Sequence, residues 1–278
     1  MARLYRAQPS DGAAWVTGAS KGIGRSVALA LARAGYRVAA SARDAALLAD
    51  VVTQAAGLPG RIVAFPCDVT DEAAMAQTVA AIEAELGPIV LALFNAGTYF
   101  PARGDALDVE NFRKAYDINV FGVIHGLVPT VERMHARGYG QMALMASATA
   151  YGGLPMAAAY GATKAALNNM AEALKFDFDK MNIRIQVINP GFVETPLTHK
   201  NNFVMPALMP VDAAAARIVA GLAGGGFEIA FPRRFTLQLK LLRLLPRALY
   251  FSILNRRLGW RRRRVRGTGG SGRPAGRR

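Results

Sequence analysis

The sequence predicts an α/β fold, a doubly wound parallel sheet of about seven strands in a single domain, followed by a basic helical extension. Three observations lead there. Between residues 13 and 231, short apolar runs alternate with segments of helical period. Some of those runs, such as Ile89-Val90-Leu91-Ala92-Leu93-Phe94, are apolar throughout, as strands covered on both faces must be. The first run passes through a glycine-rich turn straight into a helical pattern, which is how a crossover between parallel strands begins.

Taken in order, Ala13 to Thr17 is the first strand, Gly18 to Gly24 the turn, and the helix behind it runs to about Ala34 with Gly35 as its stop. Arg37 to Ala42 is a second strand and Asp44 to Gly57 a helix ending on glycine. Arg61 to Phe65 is the third strand, and Asp71 caps a helix to Gly87. Ile89 to Phe94 is the fourth strand, followed by a helix from about Val109 to Ala136 with an interruption expected near Asn119. Gln141 to Ala146 is the fifth strand, and a long helix is expected over Pro155 to Lys180. Ile183 to Ile188, the turn Asn189-Pro190-Gly191, a helix over Val211 to Ala223 and a last strand at Phe227 to Phe231 complete the domain, assigned to residues 10–232.

Of the 278 residues 52% are hydrophobic, ample for a core. The net charge of +15 is local: residues 1–230 carry 19 basic and 19 acidic side chains, whereas 231–278 carry 15 basic and none acidic. Basicity therefore belongs to the extension, 233–265, and to a glycine-rich tail, 266–278, too polar to pack and expected to be disordered. The single cysteine, Cys67, forms no internal disulfide; the N-terminal residues lack a signal-peptide core, and no apolar run is long enough to span a bilayer. A cytoplasmic protein is expected.

Gly18, Gly22 and Gly24 follow a strand and open a helix, so the backbone can approach a pyrophosphate placed at the helix N-terminus. A glycine turn without a ligand is the competing reading. At the end of the second strand, where a carboxylate would hold the adenosine ribose hydroxyls, Ala42-Arg43 stands instead. Arg43 and Lys21 together could grip a 2′-phosphate, favouring NADP(H) over NAD(H), although either alone could be a solvated surface charge. Asp68 is placed for the adenine amino group, or else for capping the next helix; Asn95-Ala96-Gly97 suits the adenosine side of the cleft.

Tyr160 and Lys164, four apart on one helix, share a face, so a lysine charge would draw the phenol pKa down from about 10. Ser147, at the end of the fifth strand, adds a hydroxyl to the same place. No metal is called for.

These residues resemble the classical short-chain dehydrogenase/reductase family over about residues 12–232. The likeness rests on Thr17-Gly18-Ala19-Ser20-Lys21-Gly22-Ile23-Gly24, Cys67-Asp68-Val69, Asn95-Ala96-Gly97, Asn119, Ser147, Tyr160-Gly161-Ala162-Thr163-Lys164 and Asn189-Pro190-Gly191. The resemblance implies a Rossmann-like fold and an Asn119-Ser147-Tyr160-Lys164 tetrad. By that likeness Tyr160 is the acid/base, Ser147 holds the substrate oxygen, Lys164 binds the nicotinamide ribose and lowers the tyrosine pKa, and Asn119 supports a water linked to the lysine. It also adds Ser20, Ile23, Val69, Pro190, Gly191, Val193 and Thr195 to the cofactor set, with Thr195 at the nicotinamide carboxamide. Phe94 departs from the family, which often has an asparagine there. The implied activity is hydride transfer between NADP(H) and a carbonyl or alcohol, by a homodimer or homotetramer.

The variable segment after Gly191 is apolar at Phe192, Leu197, Phe203, Val204, Met205, Leu208 and Met209, and Tyr151 and Leu154 face the same space. A hydrophobic substrate follows, unless these side chains only pack the loop down. His199 is read as surface or packing before ligand. The extension, with leucines between lysines and arginines, suits an anionic membrane surface, packing on its own domain or on a sister subunit, or, least favoured, nucleic acid through Arg261 to Arg264. The alternative to an enzyme is a non-catalytic dinucleotide-binding protein whose basic tail holds a membrane, a partner or nucleic acid.

Overall fold

The computed structural model describes residues 4–198 and 205–260. Seven parallel strands form one sheet in the order β3-β2-β1-β4-β5-β6-β7. They are β1 (Ala13–Thr17), β2 (Arg37–Ser41), β3 (Arg61–Ala64), β4 (Ile89–Phe94), β5 (Gly140–Met145), β6 (Ile183–Pro190) and β7 (Glu228–Phe231). The order reverses at β1, and its carboxyl end diverges there from that of β4, opening the crevice where such sheets bind ligands.

Alternation along the strands explains why both faces are covered. On β1, Ala14 and Val16 point to one layer and Ala13 and Trp15 to the other. The first layer is closed by α1 (Gly22–Arg33), α2 (Ala45–Gln54) and α7 (Val211–Ala223). Helices α3 (Glu72–Leu86), α5 (Gly122–Arg137) and α6 (Ala158–Lys180) close the second. Phe94, the departure from the family pattern, is buried in that second layer, edge-on to Trp15 at 5.6 Å, so it serves the core.

Asp44 and Asp71 cap α2 and α3 by accepting from Leu47 N at 3.1 Å and Ala74 N at 2.9 Å. Asp68 is therefore not the helix cap; its Oδ1 closes a turn on Thr70 N at 3.0 Å and Thr70 Oγ1 at 2.9 Å. The expected interruption near Asn119 is a π-helical turn, Asp117–Phe121, between α4 (Val109–Tyr116) and α5. The long helix starts three residues later than the sequence predicts. Met156 takes a left-handed conformation (φ 65°) and its carbonyl accepts Ala102 N at 2.9 Å, which pins the segment before Ala158 out of the helix.

Beyond Pro232 the extension folds as α8 (Arg233–Leu244) and α9 (Arg247–Arg257). No helix among the described residues is long and apolar enough to cross a membrane. The predicted tail, 266–278, and the arginine run 261–264 lie outside the described residues, as do His199, Phe203 and Val204.

Candidate active site

The four tetrad positions arrive from three places in the chain at the carboxyl rim of the sheet: the π turn, the turn after β5, and α6, which carries both Tyr160 and Lys164. Asn119 sits in the π turn, fully buried, with Oδ1 accepting Thr98 N at 2.7 Å and Nδ2 donating to Thr98 O and Thr163 Oγ1, both at 3.0 Å. Thr163 Oγ1 in turn donates to Tyr160 O at 2.7 Å, so the asparagine is tied to the helical turn that carries the tyrosine. Lys164, one turn beyond Tyr160, is 2% exposed and donates Nζ to Met145 O at 2.7 Å. A side chain on Gly97 would meet Asn119 Oδ1 at 3.3 Å and Lys164 Nζ at 3.5 Å, which locates both beneath the Asn95-Ala96-Gly97 strand end.

Ser147 caps a single 3-10 turn (Ala148–Ala150) through Thr149 N at 3.2 Å, while its own N–H donates to Asn189 Oδ1 at 3.1 Å. The Ser147 side chain lies near enough to the Tyr160 phenol to draw its pKa down, and the Tyr160 ring meets Tyr99 edge-on at 5.4 Å, with Lys164 Nζ 5.6 Å from the ring centre.

Electrostatics here correct the expectation from helical spacing. Burial raises the Tyr160 phenol to about 12; the Ser147 side chain opposes this and nearby Tyr99 adds to it. Lys164 is itself pushed down to about 7 by burial. Removal of water thus sets the balance, and burial favours the protonated Tyr160 phenol at neutral pH.

Three cofactor residues predicted from sequence prove to shape the glycine turn and its surroundings. Asn95 Nδ2 donates to Thr17 O at 3.0 Å and Gly18 O at 3.2 Å, and the Thr17 hydroxyl accepts Asn95 N and Ala96 N at 2.9 and 3.1 Å. Gly18 is left-handed (φ 64°), and a Cβ there would lie 2.8 Å from Ala96 Cα, so this turn and the end of β4 meet backbone to backbone. Val69 is buried, with its carbonyl 2.9 Å from His125 Nδ1.

Helix α1 begins at Gly22 with no side-chain cap and no acid in its first turn; Ser20 and Ile23 are partly buried beside it, and Lys21 is exposed. The methyl of Thr195 lies 3.3 Å from where a Gly22 Cβ would be, bringing the segment after β6 over the glycine turn. Arg43 is exposed at the end of β2, its Nη1 3.9 Å from Asp68 Oδ2. Pro190 ends β6, Gly191 donates its N–H to Phe231 O at 2.7 Å, and Val193 is in the core.

Of the substrate positions, Leu154 and Leu197 are half-buried and Phe192 packs on Phe235 of α8 at 6.0 Å between ring centres. Tyr151 Oη donates to Glu228 Oε1 at 2.5 Å. Glu228 also accepts Asn189 Nδ2 at 2.8 Å and is closed by the Lys240 ammonium of α8. Tyr250 of α9 donates to Gly153 O at 2.7 Å. Packing on its own domain is thus what the inner face of the extension does, and it does so around the segment that follows Ser147.

Sequence reasoning missed Tyr99, Thr163, Asn189, Glu228, Lys240 and Tyr250 as site residues. Glu228 did leave a signal, since it is the one acid in the apolar strand Phe227-Glu228-Ile229-Ala230-Phe231. A groove of 620 Å³ between α7, β7 and α8 is lined by Glu228 and Lys240 but by none of Asn119, Ser147, Tyr160 or Lys164. The described residues hold no cluster suited to a metal ion.

The family model described as short chain dehydrogenase matches residues 12–203. An uncharacterized oxidoreductase of Myxococcus xanthus is 34% identical over 244 residues, spanning 88% of this chain and 96% of that protein. A short chain dehydrogenase of Burkholderia cenocepacia solved with NADP aligns with a TM-score of 0.78 at 24% identity, covering 89% of this chain and 99% of its own. A short chain dehydrogenase/reductase of Burkholderia phymatum solved with NAD gives 0.76 at 20% identity, over 84% and 94%. With a match of that extent in sequence, and a sheet of the same topology beneath it, the chain belongs to the short-chain dehydrogenase/reductase family of oxidoreductases.

Proposed function

We propose that the protein is an NADP(H)-dependent oxidoreductase that interconverts a carbonyl and an alcohol on a hydrophobic substrate, with Tyr160 as the acid/base. The observation that carries this is the convergence of Ser147, Tyr160 and the buried Lys164, one helical turn from Tyr160, at the carboxyl rim of the sheet. A protein that only binds a dinucleotide would gain nothing from burying Lys164, whose desolvation is a cost.

The residues fit a dinucleotide. The glycine turn is packed against the end of β4, and the uncapped, acid-free start of α1 that follows it offers N–H groups to a pyrophosphate. Between the two forms, Arg43 and Lys21 supply charge for a 2′-phosphate where no carboxylate stands to hold a ribose diol. When bound, the dinucleotide supplies the hydride, or takes it in the reverse direction.

The chain's own part is proton transfer and charge stabilisation. Tyr160, protonated up to about pH 12, delivers its proton to the substrate oxygen, and the Ser147 hydroxyl meets that oxygen as negative charge develops. Asn119 and Thr163 hold the tyrosine's turn in register. In the reverse direction Tyr160 takes the proton back from the alcohol as its phenolate. Phe192, Leu197 and Leu154 would supply the apolar surface for a hydrophobic substrate, while Tyr151 is held in place by Glu228 at its hydroxyl and by Lys240 over its ring.

We place the enzyme in the cytoplasm as a homo-oligomer. The outward apolar side chains on α4, the π turn, α5 and α6, Val109, Phe121, Val128 and Phe176, support a subunit interface on that side. The test of the function is Tyr160→Phe: NADPH oxidation over a panel of aromatic ketones, 3-oxoacyl thioesters, retinals and steroids falls at least about 1,000-fold while NADPH still binds. Turnover retained in that variant overturns the assignment.

A further inference from the structure

We propose that the outer face of α8 and α9 seats the enzyme on an anionic lipid surface, on the far side of these helices from the Gly153 and Phe192 segments that flank the candidate site. The link to substrate rests on the reading above; the lipid contact does not.

The two helices have two different sides. Inward, Tyr250 and Thr236 are buried, Tyr250 reaches Gly153 O, Phe235 stacks beside Phe192, and Lys240 closes on Glu228. Outward, Leu237, Leu241 and Leu244 make a stripe at i, i+4 and i+7 on α8, Leu244 being 80% exposed, and α9 adds Leu249, Phe251 and Leu258. One such leucine is ordinary; three in one stripe on α8, with further exposed apolar side chains on the neighbouring α9, call for an occupant.

Charge selects among occupants. Arg233, Arg234, Arg247, Arg256 and Arg257 are exposed around the patch, and residues 231–278 contain no acid to neutralise them. A second copy docking through the same face would set arginines against arginines, so like-charge repulsion opposes it. Nucleic acid would satisfy the arginines and leave the leucines in water. A lipid surface with anionic headgroups satisfies both, taking leucine and phenylalanine into the acyl boundary and arginine at the phosphates. A substrate dissolved in that surface then has only the thickness of a helix, about 10 Å, between it and the Gly153 and Phe192 segment.

The test uses the full chain with vesicles of phosphatidylcholine alone and of phosphatidylcholine with phosphatidylserine. Sedimentation is expected to show about 10-fold tighter binding to the anionic vesicles, lost at high salt. The Leu241→Glu/Leu244→Glu double variant, changed only at exposed positions, is expected to lose that binding yet oxidise NADPH with a water-soluble ketone at the wild-type rate. Only the wild type should turn over a long-chain ketone faster when anionic vesicles carry it. The proposal is overturned if the full chain stays in the supernatant with both vesicle types, or if the double variant binds as well as wild type. It is equally overturned if the double substitution changes the oligomeric mass in light scattering without vesicles, which would identify a second copy as the occupant. Because sedimentation needs no turnover, failure of the lipid contact and failure of the oxidoreductase reading are read separately.

Discussion

Lys240 and Glu228 meet across the boundary between the extension and the sheet, the ammonium of one closing on the carboxylate of the other. Burial alone would raise the Glu228 carboxyl, but hydrogen bonds from Lys240, Tyr151 and Asn189 hold it below its ordinary value. Asn189, gripped by that carboxylate, accepts the N–H of Ser147. A residue of the C-terminal extension is therefore three contacts from the backbone of Ser147, the residue proposed to hold the substrate oxygen.

Glu228→Ala leaves the Tyr151 hydroxyl and the Asn189 amide without their acceptor, at a cost of about 1–3 kcal/mol each. We expect kcat/KM to fall about 10-fold or more through misplacement of Ser147, with NADPH affinity changed less than about 2-fold. Lys240→Met should give a smaller loss of the same kind. Steady-state kinetics beside a fluorescence titration of NADPH separates the two quantities, and a parallel loss of both would refute the positioning role.

Lys164→Met should stabilise the protein while abolishing activity. The sign follows from the pKa, depressed from 10.5 to about 7 in the folded chain. Between those values the unfolded chain binds the extra proton, so this group makes wild-type stability rise with pH across that window and burdens the fold below it. A Tm gain of about 5 °C is expected at pH 6, shrinking towards pH 10, and is measured by calorimetry across that range.

Arg43→Ala should raise the KM for NADPH about 10-fold or more and leave that for NADH within about 2-fold, because only the former carries the extra phosphate. Initial rates with both cofactors decide it. Equal effects on the two would show that Arg43 serves Asp68 and the surface.

Gly18→Ala tests the turn itself. The added methyl would press on Ala96 Cα at 2.8 Å in a left-handed backbone, whereas Gly104 has nothing within 4 Å of its Cβ position. NADPH binding by isothermal titration should be lost in Gly18→Ala and unchanged in Gly104→Ala.

What was legible in the sequence is what local pattern encodes. Apolar runs and helical period gave strands such as Ile89–Phe94 to the residue, because burial on both faces leaves no other composition open. Glycine spacing gave the turn, and the spacing of Tyr160 and Lys164 gave a shared helix face. The same spacing misjudged their electrostatics, since it registers charge but not the burial that takes Lys164 to 2% exposure. Tyr250 and Gly153 stand 97 residues apart, and Tyr151 and Glu228 stand 77 apart; no period or motif joins such pairs. The extension could be read as basic and apolar, but which of its faces turned inward was decided by Phe235, Lys240 and Tyr250 finding partners on the sheet.

Four of the returns from helix to strand share one trait: Gly35, Gly57, Gly87 and Gly138 have positive φ where α1, α2, α3 and α5 turn back into the next strand. In a parallel sheet these turns lie on the rim opposite the reacting residues. Nothing stands within 4 Å of a Cβ position at Gly57 or Gly138. The molecule thus offers a rim for engineering as well as one for chemistry: new termini, a reporter domain or an immobilisation tether inserted at either glycine would leave the catalytic edge undisturbed.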